Sequence, residues 1–179
     1  MNLYLVRHGQ TDLNKNHIIQ GITNAKLNDT GISQAKNLQK EIDKLNIDLV
    51  ISSPLVRTKE TASIILNNKN IPVIYDDRII ERYAGDLEGK SDELYDHIKV
   101  WNYKLNTDLN ANIEKMQDLL KRTKLFLEDI KNKYPNKNIL IVSHEATIRA
   151  LHYNIVGYNE NTNFKKLKID NCCLLKYKI

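Results

Sequence analysis

Three short stretches carry residue types that could do chemistry: Arg7-His8 in "LYLVRHG", Ser52-Ser53 with Arg57 in "ISSPLVRTKE", and His144 in "IVSHEA". An arginine beside a histidine repels an imidazolium, so the pair packs poorly unless both groups face an anion. These arginines and histidines come with no carboxylate pair, no third histidine at metal spacing and no thiolate. A divalent cation held among two arginines is electrostatically unfavourable, so neither a metal nor another cofactor is expected. A phosphoryl group suits the set better. Arginine forks match its oxygens, and a neutral imidazole nitrogen can attack phosphorus.

Such a set works only if the fold gathers it. "NLYLV", "DLVISS" and "NILIVSH" read as strands, the last apolar enough to be buried on both faces. Each ends at one of the reactive groups. Ala35, Leu38, Ile42 and Leu45 share one face of a helix that starts near Gly31, with Asp29 or Thr30 as its cap. "PLVRTKETASIILNN" is the next helix, with Pro54 in its first turn, and "IPVIY" is a third strand. Residues 91 to about 107 read as a polar helix with Leu94, Ile98 and Trp101 as its apolar ridge. Met116, Leu119, Leu120, Thr123, Phe126, Leu127 and Ile130 form the stripe of a long helix stopped by Pro135. "ATIRALHYNIVG" is a helix ending near Gly157, and "LKIDNCCLLKYKI" supplies one or two last strands. Strands alternating with helices predict a three-layer α/β/α sandwich with a largely parallel sheet. In such sheets the carboxyl ends of the strands share the edge where ligands bind.

A chain of 179 residues, 41% hydrophobic and 27% charged, is expected to form one domain over 1–179, with a core that needs no disulfide or structural metal. No apolar run has the length of a membrane span, and Leu3–Val6 is too short for a signal-peptide core. A cytoplasmic protein with no membrane partner is the expectation. Adjacent Cys172 and Cys173 suit neither a disulfide nor a zinc motif and read as small buried residues of a terminal strand. The net charge is +5, with Lys165, Lys166, Lys168, Lys176 and Lys178 close together. Without an aromatic-interleaved basic patch, a helix-turn-helix or a zinc signature, no nucleic-acid partner is expected. These lysines alternate with Leu167, Ile169, Leu174, Leu175 and Tyr177, which reads as a solvated strand face.

The blocks "LVRHGQT", "ISSPLVRTKETA", "ERYAGDLEG" and "IVSHEATIR", in that order, resemble the histidine phosphatase superfamily, with its phosphoglycerate mutase-like fold, and within it the short bacterial-type phosphatases. The resemblance runs from Leu3 to the "IDNCCLLKY" terminus. It implies that His8 attacks phosphorus and becomes a phosphohistidine. Arg7, Arg57 and His144 would bind the phosphoryl oxygens and stabilise their charge. Asn14 would donate to the same phosphate, with Gln20 and Gly21 close to the substrate. Glu81 would protonate the leaving oxygen and then activate water. Gly9 would let backbone pass close to the anion. The implied reaction needs no metal. Read without the family, Arg57 is an ordinary helix charge, Asn14 a helix cap, and Glu81 one partner among Asp76, Asp77, Arg78 and Arg82 in surface salt bridges. His17, His97 and His152 lie off the pattern, as surface or packing residues.

The chain also departs from the family. Ile18 stands where an arginine is usual, Asn24, Lys26 and Leu27 replace an aspartate and a proline-leucine pair, and "GES" survives only as Glu114. Glu145 replaces the usual glycine after His144 and joins the substrate-side candidates. Facing the pocket it would repel substrate and raise the histidine's pKa; facing solvent it would be a favourable charge at a helix N-terminus. The solvent-facing reading is preferred. The small helical segment at about 90–113 is the only candidate cap. A site so open admits water to a phosphohistidine, which favours hydrolysis. The expected function is a metal-independent phosphomonoesterase for small phosphorylated metabolites. A phosphoglycerate-type mutase and a catalytically silent phospho-ligand binding protein are the alternatives. By resemblance, candidate substrates are phosphorylated sugars and glycerates, phosphoserine and ribazole phosphate. Tyr95, Trp101 and Tyr103 are expected to pack rather than stack on a ligand. An apolar face near Leu151 and Ile155 could pair chains or be covered internally.

Overall fold

Alternating side chains on the strands set the layers. In β1 (Asn2–Arg7), Leu3 and Leu5 point to one face and Val6 to the other. In β4 (Asn138–Ser143), Ile139 and Ile141 oppose Leu140 and Val142 in the same way, and every residue from Ile139 on is buried. The computed structural model describes residues 1–67, 69–94, 100–104 and 112–179, with Leu94 described by its backbone only. Its sheet has five strands in the order β3-β2-β4-β1-β5, with β2 at Leu49–Ser52, β3 at Val73–Tyr75 and β5 at Leu174–Lys178. The pairings of β1, β2, β3 and β4 are parallel, and β5 runs antiparallel beside β1.

Helices cover both faces. α2 (Asp29–Ile42) and α3 (Val56–Leu66) bury Leu38, Ile42, Ala62 and Ile65 against Val6, Val50, Leu140 and Val142. α4 (Met116–Lys133) and α5 (Glu145–Val156) bury Phe126, Leu127, Ile130, Ile148 and Leu151 against Leu3, Leu5, Ile139 and Ile141. Each fully buried Leu, Ile or Phe contributes roughly 1.5–3 kcal/mol, so this pairing of stripes carries most of the layered arrangement. A one-turn helix, α1 (Asp12–Lys15), follows β1. The register pairs Arg7 with Ser143 and Ser52 with Val142, so His8, Ser53 and His144 leave the sheet at one edge.

Several expectations need correction. α2 is capped by Asn28, whose Oδ1 accepts from the Gly31 amide at 2.9 Å, and it ends before Leu45. An Asx side chain one residue earlier satisfied the free amide that Asp29 or Thr30 was expected to meet. Pro54 precedes α3 rather than opening it, because Leu55 is still extended. Only one strand follows Gly157. Cys172 (φ 56°) and Cys173 lie half-buried in the turn before β5, not in the strand, because the chain must reverse there to run against β1. Of the terminal lysines, only Lys176 and Lys178 stand on a strand. Leu151 is buried and Ile155 packs on the core, so that face is covered internally. Within the expected cap, a 3-10 turn spans Asp92–Leu94; Tyr95, His97 and Ile98 lie outside the described residues, as do 105–111. Among the described residues no helix is long and apolar enough to cross a membrane.

Candidate active site

At the carboxyl edge of the sheet lies a cavity of about 350 Å³, lined by Arg7, His8, Asn14, Gln20, Gly21, Arg57, Glu81 and Glu145, among others. His144 sits directly behind it, fully buried, with its ring centroid 5.2 Å from that of His8.

The two imidazoles are fixed in opposite tautomers. His8 Nδ1 lies 2.7 Å from the Gly9 carbonyl, which can only accept, so Nδ1 carries the proton and Nε2 keeps its lone pair. His144 Nδ1 accepts from Arg57 Nε at 3.2 Å, so its Nε2 carries the proton and donates to Ser53 Oγ at 2.8 Å. Burial, followed by Arg57, holds both rings well below the usual histidine pKa, with Arg7 adding to the effect. Both are neutral. The ring nitrogens of His144, expected to meet phosphoryl oxygens, are instead occupied by Arg57 and Ser53 in this structure.

Arg57 is not an exposed helix charge: it is 1% exposed. Its other two nitrogens donate to the carbonyls of Thr23 (2.7 Å) and Gly21 (2.8 Å). Burial lowers its pKa to about 10, with Glu81 and Glu88 opposing, so it stays charged at neutral pH. Glu88 holds the same loop from its amides, accepting from Ile22 (3.0 Å) and Thr23 (3.1 Å). Gly21 adopts φ 47°, and a Cβ there would run into the Glu88 carboxylate.

Arg7 Nη1 donates to the Ile169 carbonyl at 2.6 Å, while its Nε is buried without a hydrogen-bond partner. Asn14 is both cap and cavity residue. It is the third residue of a capping box with Thr11, and its Oδ1 accepts from the Thr11 amide at 3.2 Å, which leaves its Nδ2 hydrogens to donate towards the cavity. The Thr11 hydroxyl likewise donates to Gln20 Oε1 at 3.0 Å and leaves the Gln20 Nε2 end. Asn171, which sequence reasoning passed over, donates to the His8 carbonyl at 3.0 Å.

Among the described residues, Glu81 is not joined to Arg78 by the surface salt bridge expected there. Arg78 pairs instead with Asp76 and Asp129, at 2.6 and 2.9 Å. Glu81 Oε1 accepts from the amides of Arg82 (2.9 Å) and Thr147 (3.3 Å), and its Oε2 is 3.4 Å from the Ala146 amide at the start of α5. Burial pushes its pKa up and Glu145 adds to that, against the Arg82 amide, Arg57 and Arg7. The carbonyl that follows this side chain is held by Arg122 of α4, which donates to Ile80 (3.0 Å) and Glu81 (3.3 Å) and grips Glu114 at 2.6 and 2.9 Å.

Glu145 does not face solvent. It lines the cavity, with Oε2 2.9 Å from Arg7 Nη1 and Oε1 2.6 Å from Arg149 Nη2. The attraction of two guanidiniums outweighs the hydration it would gain by turning outward, and it does not raise the pKa of His144. The i,i+4 spacing of Glu145 and Arg149 on one helix was the signal that could have found Arg149. Gly9 also has a packing reason of its own. A Cβ there would lie 2.6 Å from the Gly31 carbonyl oxygen, so close packing on the start of α2 requires the glycine. His17, expected as a surface or packing residue, lines the cavity and pairs with Asp92 at 3.2 Å; His152 bonds Tyr177 at 2.7 Å as a packing residue. Lys165 and Trp101 also line the cavity, so Trp101 is not solely a packing residue. Among the described residues no group of three His, Cys, Asp or Glu is placed to hold a metal ion.

Comparison with known proteins agrees with this arrangement. The model of the histidine phosphatase superfamily (branch 1) matches residues 3–179. A Bacillus subtilis protein named "Uncharacterized phosphatase PhoE" is 35% identical over 170 residues, covering 95% of this chain and 84% of the relative. An Escherichia coli protein named "Probable phosphoglycerate mutase GpmB" is 32% identical over 179 residues, covering 97% and 83%. The crystal structure of a phosphoserine phosphatase variant from Entamoeba histolytica, in complex with phosphoserine, superposes with a TM-score of 0.84 at 28% identity, covering 98% of this chain and 89% of that one.

Proposed function

Given that the chain belongs to the histidine phosphatase superfamily and is a phosphomonoesterase of that type, we propose that it acts on small phosphorylated metabolites through a phosphohistidine at His8. The observation that carries this reading is the hydrogen bond from His8 Nδ1 to the Gly9 carbonyl, which leaves Nε2 as a neutral nucleophile at the cavity wall. In the first displacement Nε2 forms the N–P bond as the ester P–O bond breaks. The bonding pair leaves with the oxygen, which takes its proton from Glu81. In the second, Glu81 as carboxylate takes a proton from water, the water oxygen bonds phosphorus, and the N–P pair returns to His8. Arg7, Asn14 and Gln20 donate to the phosphoryl oxygens, and the charge of Arg57 stabilises them while Gly21 shapes the loop. His144 contributes by orienting Arg57 rather than by a contact of its own.

The raised pKa of Glu81 supports its role as acid, since burial favours the protonated form that gives its proton to the leaving oxygen. The reading takes 1–179 as one catalytic domain and the segment at about 90–113 as its cap, supported by Trp101 on the cavity wall. It places the protein in the cytoplasm, where the half-buried Cys172 and Cys173 remain thiols. The test is phosphate release from a panel of small phosphomonoesters in EDTA, by wild type and by His8→Ala. Turnover that resists EDTA and vanishes in the variant supports the route. Activity that survives His8→Ala refutes it.

A further inference from the structure

We propose that Glu145 is a specificity-determining residue that weakens the grip of this cavity on phosphate, by competing as a built-in anion for the Arg7 guanidinium. The inference rests on the assignment of Arg7 to the phosphoryl oxygens. Glu145 opens α5, and its carboxylate bridges Arg7 and Arg149 on the cavity wall, at 2.9 and 2.6 Å. Arg149 is fixed in place: it is 5% exposed, donates to the Lys165 carbonyl at 3.2 Å and lies 5.1 Å over the Trp101 ring. It therefore draws the carboxylate inward and keeps it there. Arg7 has already given Nη1 to the Ile169 carbonyl and to Glu145.

A phosphoryl dianion arriving at His8 thus meets a guanidinium whose charge is partly spent, with a carboxylate one hydrogen bond beyond it. The Arg7 side chain is 13% exposed and that of Glu145 34%, so solvent screens this short-range repulsion only in part. Two consequences follow for the reaction. Inorganic phosphate, the product with the highest charge density, is held weakly and leaves readily. Substrates that carry a second negative charge close to the ester are disfavoured relative to neutral ones of the same shape. Glycine, usual at this position in the resembling family, would impose neither effect.

The experiment measures phosphate binding by calorimetry, together with kcat and KM, for wild type, Glu145→Gln and Glu145→Gly. Glutamine keeps an acceptor for Arg149, and the glycine variant serves if the amide fails to fold. The substrates are glycerol 3-phosphate and 3-phosphoglycerate, which differ by a hydroxymethyl group in place of a carboxylate. Loss of the charge is expected to tighten inorganic phosphate by about tenfold. KM should fall for both esters, more for 3-phosphoglycerate, with kcat no higher than wild type. Phosphate affinity that is unchanged within twofold, or weaker, overturns the inference, because Glu145 would then only brace Arg7. Absence of phosphate binding in wild type and in both variants overturns it together with the assignment of Arg7. Tighter phosphate binding in variants of a protein inactive on both esters supports the competition and counts instead against the phosphohistidine reading.

Discussion

Replacing Glu81 by glutamine separates the chemistry of this site from its architecture. The amide oxygen can still accept from the Arg82 and Thr147 amides at 2.9 and 3.3 Å, and only the 3.4 Å contact from Ala146 is lost. That contact is long, so its loss costs under about 1 kcal/mol. The buried carboxyl also loses its titration. Its pKa is raised above the usual 4.5, so the folded state binds the proton more tightly than the unfolded chain does. Wild-type stability therefore falls as pH rises from there through the raised pKa, a loss the amide does not suffer. The variant should be as stable as wild type at neutral pH. Its catalysis should suffer where a proton is needed: roughly 10²–10⁴ in kcat/KM for an alkyl phosphate, or about 3–5 kcal/mol. A nitrophenyl phosphate, whose leaving oxygen departs without a proton, should lose far less in kcat/KM. With that ester, stopped-flow should show a stoichiometric burst as the phosphohistidine accumulates, because Glu81 is absent from the water step too. Equal losses on the two esters, with no burst, would refute the assignment of Glu81.

Three further outcomes are expected. Gly9→Ala should destabilise the fold by about 1–3 kcal/mol in urea titrations, because its Cβ meets the Gly31 carbonyl oxygen at 2.6 Å. A neutral result would mean that the start of α2 yields freely. Arg122→Gln frees the backbone behind Glu81 and should lower kcat for alkyl esters by about tenfold with little change in KM. If KM moved instead, Arg122 would be acting on binding. The depressed pKa of His8 makes the folded state resist a proton that the unfolded chain accepts near 6.5. Wild type should therefore lose stability as pH falls below that value, by up to about 1.4 kcal/mol per unit for this group, and His8→Gln should lose less. Denaturant midpoints at pH 7 and pH 5 would decide it, and parallel losses in both proteins would contradict the buried neutral ring.

What the sequence determined by itself is the frame and the reaction class. Apolar alternation and helical stripes depend on neighbours a few residues away, and so the strand ends at Arg7, Ser52 and Ser143 are legible in the sequence alone. The residue types at those ends already demanded an anion. The tertiary structure alone decided direction and partnership, because these depend on groups distant in the chain. It turned Glu145 into the cavity, since Arg7 lies there beside Arg149, and it placed the Arg122 guanidinium behind Glu81. It gave Gly9 its reason in Gly31, and gave the two histidines opposite tautomers through a carbonyl and a guanidinium. A side chain's charge is written in its identity, but which charge it meets is settled only when the helices pack on the sheet.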